Sequence, residues 1–167
     1  LNLVTGPGAS VGNTLVEDER VGGISFTGST EIGTSITARG SALLKKVQCE
    51  MGGKNAAIIL NDADLDKAVP GVVQGAFGST GQRCTATSRA IVEDGIYNEF
   101  MDALLAQTED LTVGDGMDSS KDVAPLASRN QLDTVLEYIG IGTEEGARLT
   151  FGGHQLRGDE FDEGYYV

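Results

Sequence analysis

Three short stretches of the 167-residue sequence hold side chains whose types and settings could do chemistry. The first is Cys84, in Ser79-Thr80-Gly81-Gln82-Arg83-Cys84-Thr85-Ala86. A thiol acts as a nucleophile when it is partly exposed and helped towards the thiolate by positive charge or backbone N–H dipoles. A loop of small residues with Arg83 alongside fits both conditions, although an isolated cysteine is more often an inert core residue. The second is Glu50, in Cys49-Glu50-Met51-Gly52-Gly53-Lys54-Asn55. A carboxylate at a strand end, with apolar neighbours and a Gly-Gly pair behind it, suits general-base work; the plainer reading is a solvated strand end. The third is Phe26-Thr27-Gly28-Ser29-Thr30-Glu31-Ile32-Gly33, a strand-to-helix junction. Unpaired amides and the positive end of a helix dipole there suit a pyrophosphate, with Gly28 allowing close approach and Ser29 lending a hydroxyl. Taken alone, Gly28-Ser29 is more often a plain turn and cap. This is not the GxGxxG fingerprint, and Thr5-Gly6-Pro7-Gly8-Ala9-Ser10-Val11-Gly12 lacks the Gly-Lys-Ser/Thr of a P-loop.

The elements that must position these residues follow from apolar runs and their punctuation. Leu1-Asn2-Leu3-Val4 reads as a strand stopped by a glycine loop, and Asn13 or Thr14 as the cap of a short helix. Val21–Phe26 reads as a strand, Ser29 as the N-cap of a helix through Ile32, Ile36 and Arg39, and Lys46–Glu50 as a third strand. Within that strand side chains alternate, so Cys49 faces away from Glu50 and reads as core packing. A new unit begins after Gly53. Ala56–Leu60 is a continuous apolar strand, and Asn61-Asp62-Ala63-Asp64 caps a helix whose inward face is Leu65, Ala68, Val69, Val72, Val73 and Ala76. Pro70 in its second turn predicts a kink. Gly75–Arg83 reads as loop, Thr87–Val92 as strand, and Ile96/Phe100/Leu104/Leu105 and Leu132/Val135/Leu136/Ile139 as amphipathic helices. Strand, glycine turn and helix in repetition predict an α/β fold built on a parallel, Rossmann-like sheet.

Charge divides the chain as the motifs do. There are 25 acidic and 12 basic residues, a formal net charge of −13. Residues 1–92 carry eight of each sign, so the whole surplus, 17 acids against 4 bases, lies in 93–167. Such acidity argues against nucleic acid and anionic membranes as partners and places any anionic ligand on the neutral half. The acid load reads as solvated helix faces, as at Glu99, Asp102 and Glu109, or as adaptation to high salt. Stability compared in dilute buffer and in molar KCl separates the two. Two cysteines make no disulfide framework, the single His154 in a glycine turn makes no metal site, and no apolar run is long enough to cross a bilayer. A reduced, cytoplasmic protein is expected.

Taken together, the ordered motifs resemble the aldehyde dehydrogenase superfamily. They are Phe26-Thr27-Gly28-Ser29, then Glu50-Met51-Gly52-Gly53-Lys54-Asn55, then Gly81-Gln82-Arg83-Cys84-Thr85, with 34 positions from Glu50 to Cys84. Thr5-Gly6-Pro7-Gly8, Asp62-Ala63-Asp64-Leu65, Pro125-Leu126 and Gly164-Tyr165-Tyr166-Val167 extend the likeness along the whole chain. Within the superfamily, Gly78 to Arg89 is most similar to the semialdehyde branch, the 2-oxoglutarate-semialdehyde (2,5-dioxovalerate) dehydrogenases. The resemblance implies oxidation of a small aldehyde to the acid with NAD or NADP. It makes Cys84 the nucleophile, Glu50 the base that activates the hydrolytic water, and the Cys84 amide half of an oxyanion hole. Gly28 and Ser29 would then serve the pyrophosphate, and Met51 would lie near the nicotinamide. It also implies a domain boundary, with residues 1–52 the end of a dinucleotide-binding domain and 53–167 part of the catalytic domain, and a homo-oligomeric full-length protein.

The resemblance has gaps. The family's asparagine oxyanion donor, its adenosine-ribose strand end and its Glu-x-Phe-Gly-Pro motif have no counterpart in these residues. The expectation is therefore a central segment of a longer enzyme. An acylating relative that passes the thioester to coenzyme A, and a non-catalytic nucleotide-binding or interaction module, are the alternatives; retention of Glu50 and Cys84 favours hydrolysis. The purified 167-residue segment alone is expected to oxidise no aldehyde. Turnover above a Cys84→Ala control would overturn this.

Overall fold

The computed structural model describes residues 1–158 and 160–167, and the chain divides into two compact units, Leu1–Gly53 and Lys54–Val167. Both are α/β, and each contains one parallel strand pair joined through a helix. That connection is what a parallel pair requires, because a tight turn cannot bring the chain back to start a parallel neighbour.

In the first unit, β1 (Gly23–Gly28) runs parallel to β2 (Lys46–Met51), with Gly23 opposite Lys46 and Gly28 opposite Met51. The helix between them spans Thr30–Ala42; it follows a shorter helix, Asn13–Glu17, and the two are α2 and α1. Glycine lets α2 lie close on the strands. A Cβ at Gly40 would stand 2.6 Å from Val47 Cγ2, and one at Gly33 would stand 2.6 Å from Met51 Sδ. Both glycines are buried on the face of α2 that meets Ile24, Phe26, Val47 and Cys49. The unit is tied at its other end by Lys45. Its buried Nζ donates to the carbonyls of Val16 (2.6 Å) and Asp18 (2.7 Å), groups that the end of α1 leaves without helical partners. Leu44, with φ 57°, makes the left-handed turn between α2 and Lys45.

Two expectations fail in this unit, each for a physical reason. Leu1–Val4 forms no strand and is exposed, since a strand exists only where its amides find a paired neighbour, and among the described residues these find none. Asn13 and Thr14 do not cap the helix. The helical path starts earlier, at Pro7, as a π-type turn over Gly8–Gly12 that runs into α1. Both side chains instead bond back one turn, Asn13 Nδ2 to Ala9 O (2.6 Å) and Thr14 Oγ1 to Ser10 O (2.9 Å).

In the second unit, β3 (Asn55–Ile59) pairs parallel with β4 (Thr87–Val92) across the helix α3 (Leu65–Phe77). Pro70 leaves the carbonyl of Asp66 without its helical donor, yet α3 runs on as one helix. Asp64 stands at the N-cap, but its carboxylate binds Lys67 Nζ (2.6 Å) instead of the helix amides. The core gathers Ile59 from β3, Val69, Val72 and Val73 from α3, and Ile96 and Phe100 from the following turn and helix α4 (Tyr97–Glu109). These are the apolar positions that strand and helix periodicity predict. Helix α5 (Arg129–Glu144) is capped by Ser128, whose hydroxyl accepts from Gln131 N–H, and it buries Leu132 completely. The chain end is tied to this unit by backbone hydrogen bonds and one aromatic contact. Tyr165 O accepts from Leu126 N–H (2.8 Å), Tyr166 O accepts from Leu156 N–H (3.1 Å), and Phe161 packs edge-on against the buried Tyr166 ring. No helix is long and apolar enough to cross a membrane among the described residues.

The loop after α4 is closed by a carboxylate. Asp122 accepts from the backbone N–H (2.8 Å) and the hydroxyl (2.7 Å) of Thr112, and these bonds hold its carboxyl below the ordinary 3.8. A carboxylate depressed in the folded state stabilises above its unfolded pKa and loses that contribution as the pH falls through the folded value. Protection of the Thr112 amide, its exchange rate compared with the intrinsic rate at the same pH, is therefore expected to be high at neutral pH and to fall below about pH 4. Asp122→Ala should show low protection at both pH values, so that the two proteins converge in acid.

Candidate functional site

The first unit gathers its candidate residues at the carboxyl ends of β1 and β2, where open parallel sheets bind ligands. Gly28 and Met51 are register partners, as are Thr27 and Glu50. Ser29 follows with extended backbone (φ −70°, ψ 151°) and caps α2. Its hydroxyl accepts from Ile32 N–H at 3.3 Å and its carbonyl from Gly33 N–H at 2.9 Å. Ser29 caps as the spacing predicts, and the 13-residue α2 presents its dipole's positive end there. Glu31 in the first turn of α2 adds a negative charge that an anionic ligand would have to avoid.

The alternation along β2 separates its two candidate side chains. Cys49 is half-buried towards α2, with Sγ 3.4 Å from Thr37 Oγ1 and 3.6 Å from Gly33 O. Glu50 therefore lies on the opposite face of the pair, exposed, and none of the five ion pairs among the described residues engages it. Met51 spans both descriptions. It packs across Gly33 of α2 and still leaves 37% of its surface exposed. The space over Gly28 belongs to Phe26, whose ring carbon Cζ would lie 2.5 Å from any Cβ built there, so the missing side chain makes room first for a neighbour in the same strand.

In the second unit Cys84 is exposed, at the head of a turn closed by Ala86 N–H donating to Arg83 O (3.1 Å). Its own amide donates to no acceptor among the described residues. The approach to the turn is unusual. Ser79 (φ 54°, ψ 36°), Thr80 (φ 58°, ψ 28°) and Gly81 (φ 63°) are three consecutive left-handed residues. Outside glycine that conformation costs roughly 1–2 kcal/mol per residue and persists only where neighbours enforce it. Sequence predicts simply a loop over Gly75–Arg83; the structure extends α3 to Phe77 and then inverts the chain's handedness.

What enforces it is hydrogen bonding between this segment and distant parts of the unit, side chain to backbone. Thr80 Oγ1 donates to Ala124 O (2.9 Å), and Gln82 Oε1 accepts from Ala127 N–H (3.0 Å). On the far side, Asn55 Nδ2 donates to Cys84 O (2.8 Å) and Ala86 O (3.3 Å). Arg89 donates through Nε (3.1 Å) and Nη2 (2.6 Å) to Lys54 O. Asn55 and Gln82 lie inside the motifs that sequence singles out, but motif reading alone attaches no role to either. Their partners stand 29 to 45 positions away, beyond any local rule. His154 is exposed with Nδ1 3.3 Å from Gly152 O, and no group of three metal-ligating side chains occurs among the described residues.

Comparison with known proteins extends over the whole chain. The aldehyde dehydrogenase family model matches residues 1–167. The alpha-ketoglutaric semialdehyde dehydrogenase of Bacillus subtilis is 49% identical over 167 residues, all of this chain and 34% of that protein. The alpha-ketoglutarate semialdehyde dehydrogenase of Haloferax volcanii is 41% identical over the same span, again 34% of its length. Among solved structures, 3,6-anhydro-L-galactose dehydrogenase in complex with NAP superposes with a TM-score of 0.94 at 37% identity, covering 98% of this chain and 34% of that one. Betaine aldehyde dehydrogenase from Staphylococcus aureus in complex with NAD+ gives 0.94 at 30% identity, covering 98% and 32%. The chain thus spans about a third of the length of the relatives it matches. With its parallel strand pairs, its capped α2 and its exposed Cys84 turn, the chain belongs to the aldehyde dehydrogenase family.

Proposed function

We propose that the gene product carrying this chain oxidises a small semialdehyde, of the 2-oxoglutarate semialdehyde type, to its carboxylic acid with NAD or NADP. The observation that carries the reading is the exposed Cys84 on a turn whose backbone is held from outside, in a chain that matches the family from end to end. The substrate class is supported by the two semialdehyde dehydrogenases at 49% and 41% identity.

Cys84 attacks the aldehyde carbon as the thiolate and forms a thiohemiacetal. The developing oxyanion is met by the Cys84 amide, which has no other acceptor to serve among the described residues. The nicotinamide dinucleotide, when bound, supplies the hydride acceptor that turns the thiohemiacetal into a thioester. Glu50 takes a proton from the water that hydrolyses the thioester, releasing the acid and restoring the thiol. The chain's residues fit the cofactor in part. The N-terminus of α2 with the Ser29 hydroxyl suits a pyrophosphate, Gly28 ends the strand before it, and Met51 offers an apolar, partly exposed surface beside them. Residues 1–52 are accordingly the end of a dinucleotide-binding domain, and 53–167 part of a catalytic one.

The test uses the whole gene product, 2-oxoglutarate semialdehyde, and NAD or NADP, following reduced nicotinamide. Cys84→Ala should abolish reduction altogether. Glu50→Gln should still give one equivalent of reduced cofactor per site, then stall with the acyl group on Cys84, detectable by mass spectrometry. Absence of Cys84-dependent reduction in the wild type would refute the reading.

A further inference from the structure

We propose that Asn55 is a positioning residue for Cys84, setting the backbone of the nucleophile's turn from the first position of β3; this rests on the reading of Cys84 as the nucleophile. Both polar neighbours of the Asn55 amide are carbonyl oxygens, Cys84 O at 2.8 Å and Ala86 O at 3.3 Å, so only its NH2 end satisfies them. One side chain thereby bridges the two ends of the segment Cys84–Ala86. The same segment closes its own turn through Ala86 N–H to Arg83 O. The two contacts together fix the peptide planes on both sides of Thr85 and leave the Cys84 amide uncommitted.

The strand register explains how Asn55 reaches that far. Asn55 pairs with Thr87, but the next residue, Ala56, pairs with Arg89, so Ser88 is left over as a bulge in β4. Bulges redirect the chain and its side chains next to sites of chemistry. Here the slip sets Arg89 on the carbonyl of Lys54 while the Asn55 side chain spans the turn that precedes β4. The backbone just after the Glu50-Met51-Gly52-Gly53 motif and the backbone just after Cys84 are therefore stitched together by two side chains, one from each strand. Of the two, Asn55 touches the residue that bears the thiol.

Three variants of the whole gene product separate this role from simple packing. Asn55→Asp keeps the shape and removes both donors, Asn55→Ala removes the group, and Asn55→Ser retains one shorter donor. Misplacement of a reacting group by about 1 Å can cost about 100-fold in rate. The Asp and Ala variants are therefore expected to lose about 10- to 100-fold in kcat with KM for aldehyde and cofactor little changed, and Ser to recover part of the loss. Hydrogen exchange should quicken in the peptide spanning Cys84–Ser88 while the α3 and α4 peptides stay as protected as in the wild type. If the wild type is active but Asp and Ala match it, the positioning role is wrong. If exchange quickens throughout the unit and kcat falls only with folded content, Asn55 is structural and the proposal is equally overturned. A wild type without Cys84-dependent turnover would instead refute the functional reading on which the proposal rests, and the two failures are told apart by that one control.

Discussion

The Cys84 turn is held by groups that do not belong to it, and much of the second unit's arrangement can be understood from that constraint. An exposed turn of small residues has no core of its own to keep it in place. Ser79 and Thr80 sit in backbone conformations that side-chain-bearing residues avoid, a cost that must be offset by outside contacts. Those contacts come from Ala124 and Ala127 on one side and from Asn55 on the other. The core of Ile59, Val72, Val73 and Phe100 fixes β3 and α3, and the hydrogen bond from Leu126 N–H to Tyr165 O ties the segment around Leu126 to the chain end. Hydrophobic packing thus acts on the thiol at second hand, by holding the donors and acceptors that hold the turn.

The first unit solves a different problem, which is to bring a helix close enough to two short strands that its N-terminus stands beside their ends. Gly33 and Gly40 do this by having no side chain where Met51 and Val47 must lie. The consequence reaches the candidate cofactor residues. Ser29 is the cap of the same helix whose seating depends on those glycines, and Met51 is both the lid on Gly33 and the partner of Gly28. Packing and the candidate cofactor positions thus involve the same few residues.

Charge follows the same division. The stretch that carries Gly28, Ser29, Glu50 and Cys84 is balanced, and the acidic surplus lies beyond residue 92. An anionic dinucleotide is repelled least by the balanced part, while carboxylates on the later helices and loops remain in water or, like Asp122, close a loop by accepting backbone N–H bonds.

Much was legible in the sequence because local physics suffices for it. Alternation put Cys49 and Glu50 on opposite faces of β2, the serine before a periodic run made Ser29 a cap, and helical spacing selected Val69, Val72, Val73 and Phe100 for the core. Parallel pairing followed from strand, turn and helix in repetition, and the ordered motifs carried the family. Where local signals stood alone they misled. Leu1–Val4 has strand composition but no paired neighbour, and Asn13 and Thr14 have cap chemistry inside a helical path that had already begun. Only the tertiary structure decided what holds Cys84. The left-handed run at Ser79–Gly81, the slipped register at Ser88 and the reach of Asn55, Thr80 and Gln82 depend on atoms 29 to 45 positions apart in the chain. Composition and periodicity describe a residue's neighbours along the chain; a hydrogen bond to a distant carbonyl exists only once the core has brought the two strands and their loops together.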